Sequence, residues 1–117
     1  MFNVLIIGGG VSGVSCALVL GSALKKPYAS GKRIGIFTHQ KASALQDGLY
    51  NNAYGIAPGT LGKDLMESSL EHLSSTYPDV EQITNEKVLK IEGSAGDFTV
   101  ITNKNVYHTA IIVVAIG

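Results

Sequence analysis

The sequence has little of what marks a disulfide-stabilised, metal-binding or nucleic-acid-binding protein. Cys16 is the only cysteine in 117 residues, which excludes an internal disulfide and a cysteine-rich metal cluster. Nine basic and nine acidic residues cancel, and they form no basic stripe or polybasic cluster. We therefore expect no nucleic acid, no membrane surface and no metal as a partner, and a cytoplasmic setting fits this composition.

No segment is apolar over the length that a membrane-spanning helix needs. The longest uninterrupted apolar run is far shorter than about 20 residues, and the three glycines at 8–10 interrupt the N-terminal apolar segment. A secretory signal is not indicated either, because the first positive charge, Lys25, follows this segment. With 45% hydrophobic and 15% charged residues, the chain is predicted to be one globular domain, residues 1–117.

The most informative motif of the sequence is a glycine-rich pattern at the N-terminus. Residues 4–7 form an apolar run typical of a buried parallel strand, and they lead directly into Gly8-x-Gly10-x-x-Gly13 and a helical pattern. This spacing between a strand and a helix is the pattern that binds dinucleotides. Gly8 would permit the tight turn, Gly10 would let a pyrophosphate approach the backbone, and Gly13 would let the helix lie close to the sheet. The helix start would then direct N–H groups and its positive dipole end at the phosphates.

The rest of the sequence predicts alternating strands and helices, with a first right-handed strand-helix-strand unit. The segment 42–61 is predicted to be a long loop. In a compact domain such a loop usually has a function or contains a helix or strand that the sequence pattern does not reveal. The final run, 110–116, is apolar at every position and is predicted to be a strand buried on both faces. The predicted helices are 11–24 and 62–77, and the predicted strands are 3–7, 33–38, 80–84, 87–92, 98–102, 106–108 and 110–116.

The end of the second predicted strand lacks the acidic residue that binds ribose hydroxyls in many dinucleotide-binding folds. Thr38 stands there, followed by His39, Gln40 and Lys41. A threonine can make one hydrogen bond where a carboxylate would accept two. His39 is not assigned a catalytic role, because nothing in the sequence places a partner near it.

Several short motifs, in this order, resemble the FAD-binding domain of the two-dinucleotide-binding flavoproteins, most closely the low-molecular-weight thioredoxin reductase group. Residues 52–55 (Asn-Ala-Tyr-Gly) are similar to the family's Asn-x-Pro-Gly loop, residues 62–66 to its Gly-x-x-Leu-Met helix start, and residues 115–117 to its Ala-Thr-Gly strand end. The resemblance covers essentially the whole chain. Tyr54, Thr38 and Ile116 depart from it, since they replace the proline of the loop, the ribose-binding acid and the threonine of Ala-Thr-Gly.

The resemblance implies an α/β fold: a Rossmann-like FAD/NAD(P)-binding domain whose parallel sheet carries an inserted three-stranded antiparallel β-meander. It implies no catalytic residue within the chain. Carried over residue by residue, it implies these cofactor contacts: Gly8, Gly10, Val11, Ser12 and Gly13 at the FAD pyrophosphate, Thr38, His39 and Gln40 beside the adenosine ribose, Asn52 near the flavin end, the backbone of Val88 at the adenine, and Gly117 close to the cofactor.

The function that the resemblance implies is electron transfer through bound FAD, by the flavin-binding domain of a thioredoxin-reductase-like oxidoreductase. The family's NADPH domain, with its redox cysteine pair, has no counterpart here, so disulfide reduction by this chain alone is not expected. Two alternatives stay open. One is an NAD(P)-binding module without flavin, in which His39 and Lys41 would meet a 2′-phosphate. The other is a non-catalytic structural or sensing domain that retains the fold.

Two further expectations concern packing. Cys16 falls within the first helix and is expected to be buried and inert, since free cysteine is among the most buried residue types. The run 111–116 is expected to lie beside residues 4–7 and to form an edge with unpaired backbone groups. That edge predicts a homo-oligomer formed through it, or a longer natural protein from which this piece, incomplete at its C-terminus, is cut.

Overall fold

A computed structural model of the chain describes residues 1–38 and 47–116. These residues form eight strands and two α-helices, with a short 3-10 turn, Pro27–Ala29, before the second strand. In chain order the elements are β1 (Phe2–Ile7), α1 (Val11–Leu24), β2 (Ile34–Phe37), β3 (Leu49–Tyr50), β4 (Thr60–Leu61), α2 (Gly62–Thr76), β5 (Glu81–Ile83), β6 (Val88–Ser94), β7 (Asp97–Thr102) and β8 (Val106–Val114).

The predicted helices and most predicted strands agree with these bounds to within about two residues. The predicted loop 42–61 differs, because its described part contains the antiparallel hairpin of β3 and β4, with Leu49 opposite Leu61 and Tyr50 opposite Thr60. Strands of two residues are too short for the alternation of apolar and polar residues that identifies a strand from sequence.

Six strands form one sheet in the order β5-β2-β1-β8-β7-β6. The pairs β5–β2, β2–β1 and β1–β8 are parallel, and the pairs β8–β7 and β7–β6 are antiparallel. Helices α1 and α2 make successive crossovers in the same direction, from β1 to β2 and from β2 to β5. Right-handed crossovers place them on one face of the sheet, where they contact each other. The predicted Rossmann-like α/β fold with an antiparallel meander is confirmed.

Strand β8 belongs to both parts of this sheet, whereas the sequence predicted two separate strands, 106–108 and 110–116. Its first half pairs with β7, and from Thr109 onward it pairs with β1. Thr109 joins the two halves and is fully buried, and its hydroxyl donates a hydrogen bond to the Ile111 carbonyl at 2.9 Å. A polar residue that satisfies its hydroxyl in this way can stand inside a continuous strand, so the break predicted there was wrong.

The prediction that the final apolar run is buried on both faces is also wrong. Ile111 is 54% exposed, Val114 is 60% exposed and Ile116 is 67% exposed. The reason is position in the sheet: α1 packs on β1 and β2, and α2 packs beside α1, so neither helix covers the outer side of β8.

Buried side chains fill both faces of the sheet. Because side chains alternate along a strand, Ile6 of β1 faces the helices while Leu5 and Ile7 face away from them. The far face is closed by β7 and β8, and the Tyr107 ring meets the rings of Phe2 and Phe37 edge-on, at 6.1 and 5.4 Å between centroids. The helix-side cluster contains Ile6, Val14, Ala17, Ile34, Ile36, Leu73 and Val80, and the far-side cluster contains Phe2, Leu5, Ile7, Phe37 and Val100.

A buried carboxylate joins the β7–β8 turn to the segment before β6. Glu86 accepts hydrogen bonds from Asn105 Nδ2 at 2.7 Å, Thr102 Oγ1 at 2.8 Å and Tyr107 Oη at 2.8 Å. Burial disfavours the charged form of Glu86, but these hydrogen bonds and the positive charge of Lys104 outweigh it and lower the pKa of the carboxyl. The network is therefore built around an ionised glutamate.

We predict that Glu86→Gln lowers the free energy of unfolding at neutral pH by about 1–3 kcal/mol, because an amide cannot accept the charge-assisted hydrogen bonds of the carboxylate. A depressed folded-state pKa gives stability that is present above the unfolded-state pKa and lost as pH falls through the folded-state value. Urea unfolding at neutral and at acidic pH should show the wild-type advantage shrinking with acidity.

Glu67→Gln is the matched control, since Glu67 is exposed on α2. That variant should unfold like the wild type at both pH values. An equal loss of stability in the two variants, or an advantage for Glu86 that does not change with pH, would contradict the role of its charge.

Candidate functional site

Glycines alone connect β1 to α1, and we call residues 8–10 the glycine turn. Gly8 has φ +119, in the region where residues with a side chain are strained. Gly10 caps α1 with φ −82, an ordinary value, and its carbonyl accepts the Val14 N–H at 3.0 Å. Backbone conformation thus requires glycine at position 8 but not at position 10.

Close packing accounts for two glycines of the motif. A Cβ on Gly8 would collide with the Ala115 carbonyl oxygen, and a Cβ on Gly13 would collide with the Gly8 carbonyl oxygen. The Ala115 N–H also donates to the Ile7 carbonyl at 2.8 Å, which ties the end of β8 to the turn. This is the tight turn and the close helix-to-sheet approach that the spacing predicts for Gly8 and Gly13.

The end of β2 lies against the glycine turn. A Cβ on Gly9 would lie 2.9 Å from Thr38 Cα, so the parallel strands bring position 38 alongside the turn. The Thr38 N–H donates to the Ile83 carbonyl at 3.1 Å, and the Thr38 hydroxyl lies 3.5 Å from the same oxygen. Thr38 is therefore next to the turn, as the sequence predicts, with its hydroxyl directed at β5.

The start of α1 favours a negatively charged group. Its first turn contains no acidic side chain, and Val11 and Ser12 are both exposed there. The first N–H groups of a helix have no partner within it and lie at the positive end of its dipole. A phosphate placed at this end would meet N–H donors and no opposing carboxylate from the first turn.

The other predicted contact residues are less closely tied to the turn. Asn52 is exposed in the connection between β3 and β4, and Val88 is half-buried at the start of β6, against the far-side cluster. His39, Gln40 and Gly117 lie outside the described residues. The structure thus brings residues 8–13 and Thr38 together, while the link of the remaining residues to this site rests on the sequence resemblance alone.

Cys16 is half-buried in α1, so its predicted burial is only partly correct. Burial raises the pKa of the thiol, which leaves little of the reactive thiolate at neutral pH. That Cys16 is chemically inert stays a prediction.

The described part of the chain has neither a membrane-spanning helix nor a metal-binding cluster. Within residues 1–38 and 47–116, neither helix has the length and apolar character to cross a membrane. The same segments contain no group of three or more His, Cys, Asp or Glu side chains placed to hold a metal ion.

Solved structures of oxidoreductases share this fold, whereas no protein-family model and no curated protein matches the chain. Thioredoxin reductase from Streptococcus pyogenes MGAS5005 matches with a TM-score of 0.81 and 24% identity, over 100% of this chain and 35% of that one. T. acidophilum thioredoxin reductase matches with a TM-score of 0.75 and 25% identity, over 99% and 35%. The oxidoreductase from Agrobacterium tumefaciens matches with a TM-score of 0.81 and 22% identity, over 99% and 36%.

These matches confirm the predicted resemblance to thioredoxin-reductase-like oxidoreductases at the level of the fold. The chain spans 35–36% of the length of these structures. The activity of the full-length proteins is therefore only proposed for this chain.

We predict that Gly13→Ala destabilises the chain by about 1–3 kcal/mol, because the added methyl group overlaps the Gly8 carbonyl and must displace the turn. In an uncrowded helix the same change would instead stabilise by up to about 1 kcal/mol. The sign of the change in a thermal or urea unfolding experiment therefore reports the packing.

Gly31→Ala serves as the control, since Gly31 has φ +82 and nothing lies within 4 Å of an added Cβ. It should show only the strain of its backbone conformation, about 1–2 kcal/mol, and no effect on the site. A Gly13→Ala chain that is more stable than the wild type would contradict the close approach of α1 to the turn.

Proposed function

We propose that this chain is the FAD-binding domain of a thioredoxin-reductase-like oxidoreductase and that it holds the cofactor at the glycine turn. One observation carries the proposal: the turn joins a buried parallel strand to a helix start, with Gly8 and Gly13 packed where no side chain fits. The fold shared with thioredoxin reductases and the sequence motifs support FAD as the cofactor.

The residues of this site fit a pyrophosphate. The N–H groups of Val11 and Ser12 would donate to its oxygens, and the dipole of α1 would add about 0.3–1 kcal/mol for an exposed anionic group. A side chain at position 10 would stand in the path of the phosphates, which explains a glycine that the backbone conformation does not require. FAD, when bound, would supply the electron-transfer chemistry, while the protein binds and orients it.

The ribose is where this site departs from the usual pattern. Thr38 offers a single hydroxyl, and its contact with the Ile83 carbonyl at 3.5 Å is long enough to be given up for a ligand. The remaining proposed contacts follow the resemblance: His39 and Gln40 at the ribose, Asn52 near the flavin, the Val88 backbone at the adenine, and Gly117 close to the cofactor. The single cysteine fits the cytoplasmic location that we infer for the protein.

The missing carboxylate at position 38 also supports a second candidate, an NAD(P)-binding module without flavin. A carboxylate there would repel a 2′-phosphate, and threonine does not. The third possibility is a non-catalytic structural or sensing domain that keeps the fold. A purely structural domain would bind neither cofactor, so titration with both nucleotides separates it from the two binding modules.

We predict that FAD binds the chain more tightly than NAD⁺ or NADP⁺ in calorimetric titrations, and that Gly10→Val abolishes FAD binding. Valine can adopt φ −82, so the backbone conformation at position 10 does not oppose this variant, and its circular dichroism spectrum checks that it is folded. Ser15→Val, at an exposed position one turn further along α1, should bind FAD like the wild type. Tighter binding of NADP⁺, or Gly10→Val binding FAD normally, would refute the assignment.

We predict that Thr38→Glu tightens FAD binding by about 2- to 30-fold. A hydrogen bond to a charged group contributes roughly 1.5–3 kcal/mol against about 1 kcal/mol for a neutral one. Thr38→Gln introduces a side chain of nearly the same shape as glutamate but without its charge, so its FAD affinity should rise much less. If Thr38→Glu binds FAD more weakly than the wild type does, position 38 does not face the ribose hydroxyls.

A further inference from the structure

The connection between β5 and β6, residues 84–87, begins at the same edge of the sheet as the glycine turn. The Ile83 carbonyl at the end of β5 accepts the Thr38 N–H at 3.1 Å, and Thr38 lies against Gly9. The chain then bends at Asn85, which has φ +59 and is the only non-glycine residue with a positive φ within the described part of the chain. A residue with a side chain keeps this conformation only where its surroundings hold it.

Glu86 ties this connection to the turn between β7 and β8 and to the end of β2. Its side chain is buried, and its carboxylate accepts hydrogen bonds from Thr102, Asn105 and Tyr107. The Tyr107 ring also meets the ring of Phe37, the last residue of β2, edge-on at 5.4 Å between centroids. One carboxylate therefore fixes the connection against two neighbouring parts of the sheet.

Lys87, the next residue, is fixed through its backbone. Its N–H donates to Asn103 Oδ1 at 2.9 Å, and its carbonyl accepts the Asn103 N–H at 3.0 Å. Both backbone groups of Lys87 are therefore directed at the end of β7. The side chain of Glu86 and the backbone of Lys87 thus hold the connection against the same turn, residues 102–105.

The backbone groups of Val88 point away from β7. Backbone groups alternate in direction from one residue of a strand to the next, and those of Lys87 are directed at β7. Opposite Val88, the Thr102 N–H is turned toward the other side of β7 and donates to the Asn105 carbonyl at 2.9 Å. In the part of the chain that the structure describes, β6 is the outermost strand on this side of the sheet. Val88 therefore directs an N–H donor and a carbonyl acceptor, side by side, beyond the edge of the sheet.

We propose that Glu86 and Asn103 are positioning residues for the adenine end of the cofactor. Neither would touch the ligand, and together they hold Val88 with its N–H and carbonyl directed outward. This inference rests on the proposed function, in which the Val88 backbone meets the adenine.

The base edge that such a backbone pair complements is specific. Adenine has an acceptor, N1, beside a donor, its 6-amino group, which match the N–H and the carbonyl of one residue. Hypoxanthine has the reverse pattern, because its N1 carries a proton and its O6 is an acceptor. The same backbone groups would therefore discriminate against hypoxanthine as long as they are held in place.

The test compares ADP with inosine diphosphate, which differs from ADP only at this base edge, in calorimetric titrations at neutral pH. ADP is the part that FAD and NAD⁺ have in common, so the test holds for either dinucleotide. We expect the wild type to bind ADP about 10-fold more tightly than inosine diphosphate, because hypoxanthine loses two hydrogen bonds. Glu86→Gln and Asn103→Ala should each lower this ratio to about 3-fold or less, by weakening the binding of ADP alone.

Glu92→Gln is the matched control. Glu92 lies on the same strand and pairs with Lys90 at 2.8 Å on the surface, so this variant should keep the wild-type ratio. Circular dichroism checks that each variant is folded. Asn103→Ala leaves the Glu86 carboxylate with its three side-chain partners, so it tests the inference even where Glu86→Gln is too unstable to titrate.

The ratio of the two affinities separates positioning from general stability. A merely structural role would weaken the binding of both nucleotides equally, so an unchanged ratio in either folded variant would overturn the proposal. A wild type that binds ADP and inosine diphosphate equally would also overturn it, while leaving the pyrophosphate site in place. A wild type that binds neither nucleotide nor FAD would refute the proposed function, and this inference with it.

Discussion

Backbone-to-backbone contact at the glycine turn is the constraint on which the rest of this structure depends. Gly8 lies against the Ala115 carbonyl, and Gly13 lies against the Gly8 carbonyl, at distances that leave no room for a Cβ. Because both positions lack side chains, α1 can begin directly above the end of β1. Its N-terminal N–H groups, the end of β2 and the end of β8 then meet at one corner of the sheet, which is where the proposed cofactor site lies.

The two faces of the sheet are closed by different means. Helices cover one face, and the antiparallel meander curves over the other, where Tyr107 packs edge-on against Phe2 and Phe37. Closing a face with strands leaves polar backbone turns next to the core. In the β7–β8 turn the Thr102 hydroxyl accepts the backbone N–H groups of Lys104 and Asn105, at 3.1 and 2.9 Å, and donates to the Glu86 carboxylate. That carboxylate also accepts from Asn105 and Tyr107 side chains, and a buried charge is tolerated only when it is bonded in this way.

Strand β8 connects the antiparallel meander to the proposed site. Its first half completes the meander, its second half completes the parallel sheet, and the residue that follows it, Ala115, packs on the glycine turn. The meander and the glycine turn are therefore held by the same strand.

The sequence by itself determined the features that are encoded locally: the strands and helices with clear periodicity, the roles of Gly8 and Gly13 in the turn, and the motifs that resemble thioredoxin reductases. The tertiary structure alone decided that Glu86 is buried, that Thr109 lies inside one continuous strand, and that Ile111 and Val114 remain exposed. The physical reason is that periodicity and glycine spacing reflect the backbone conformation of neighbouring residues. Burial and hydrogen-bond partners depend instead on segments far apart in the chain: Glu86 is an ordinary acidic residue until Thr102, Asn105 and Tyr107 fold against it.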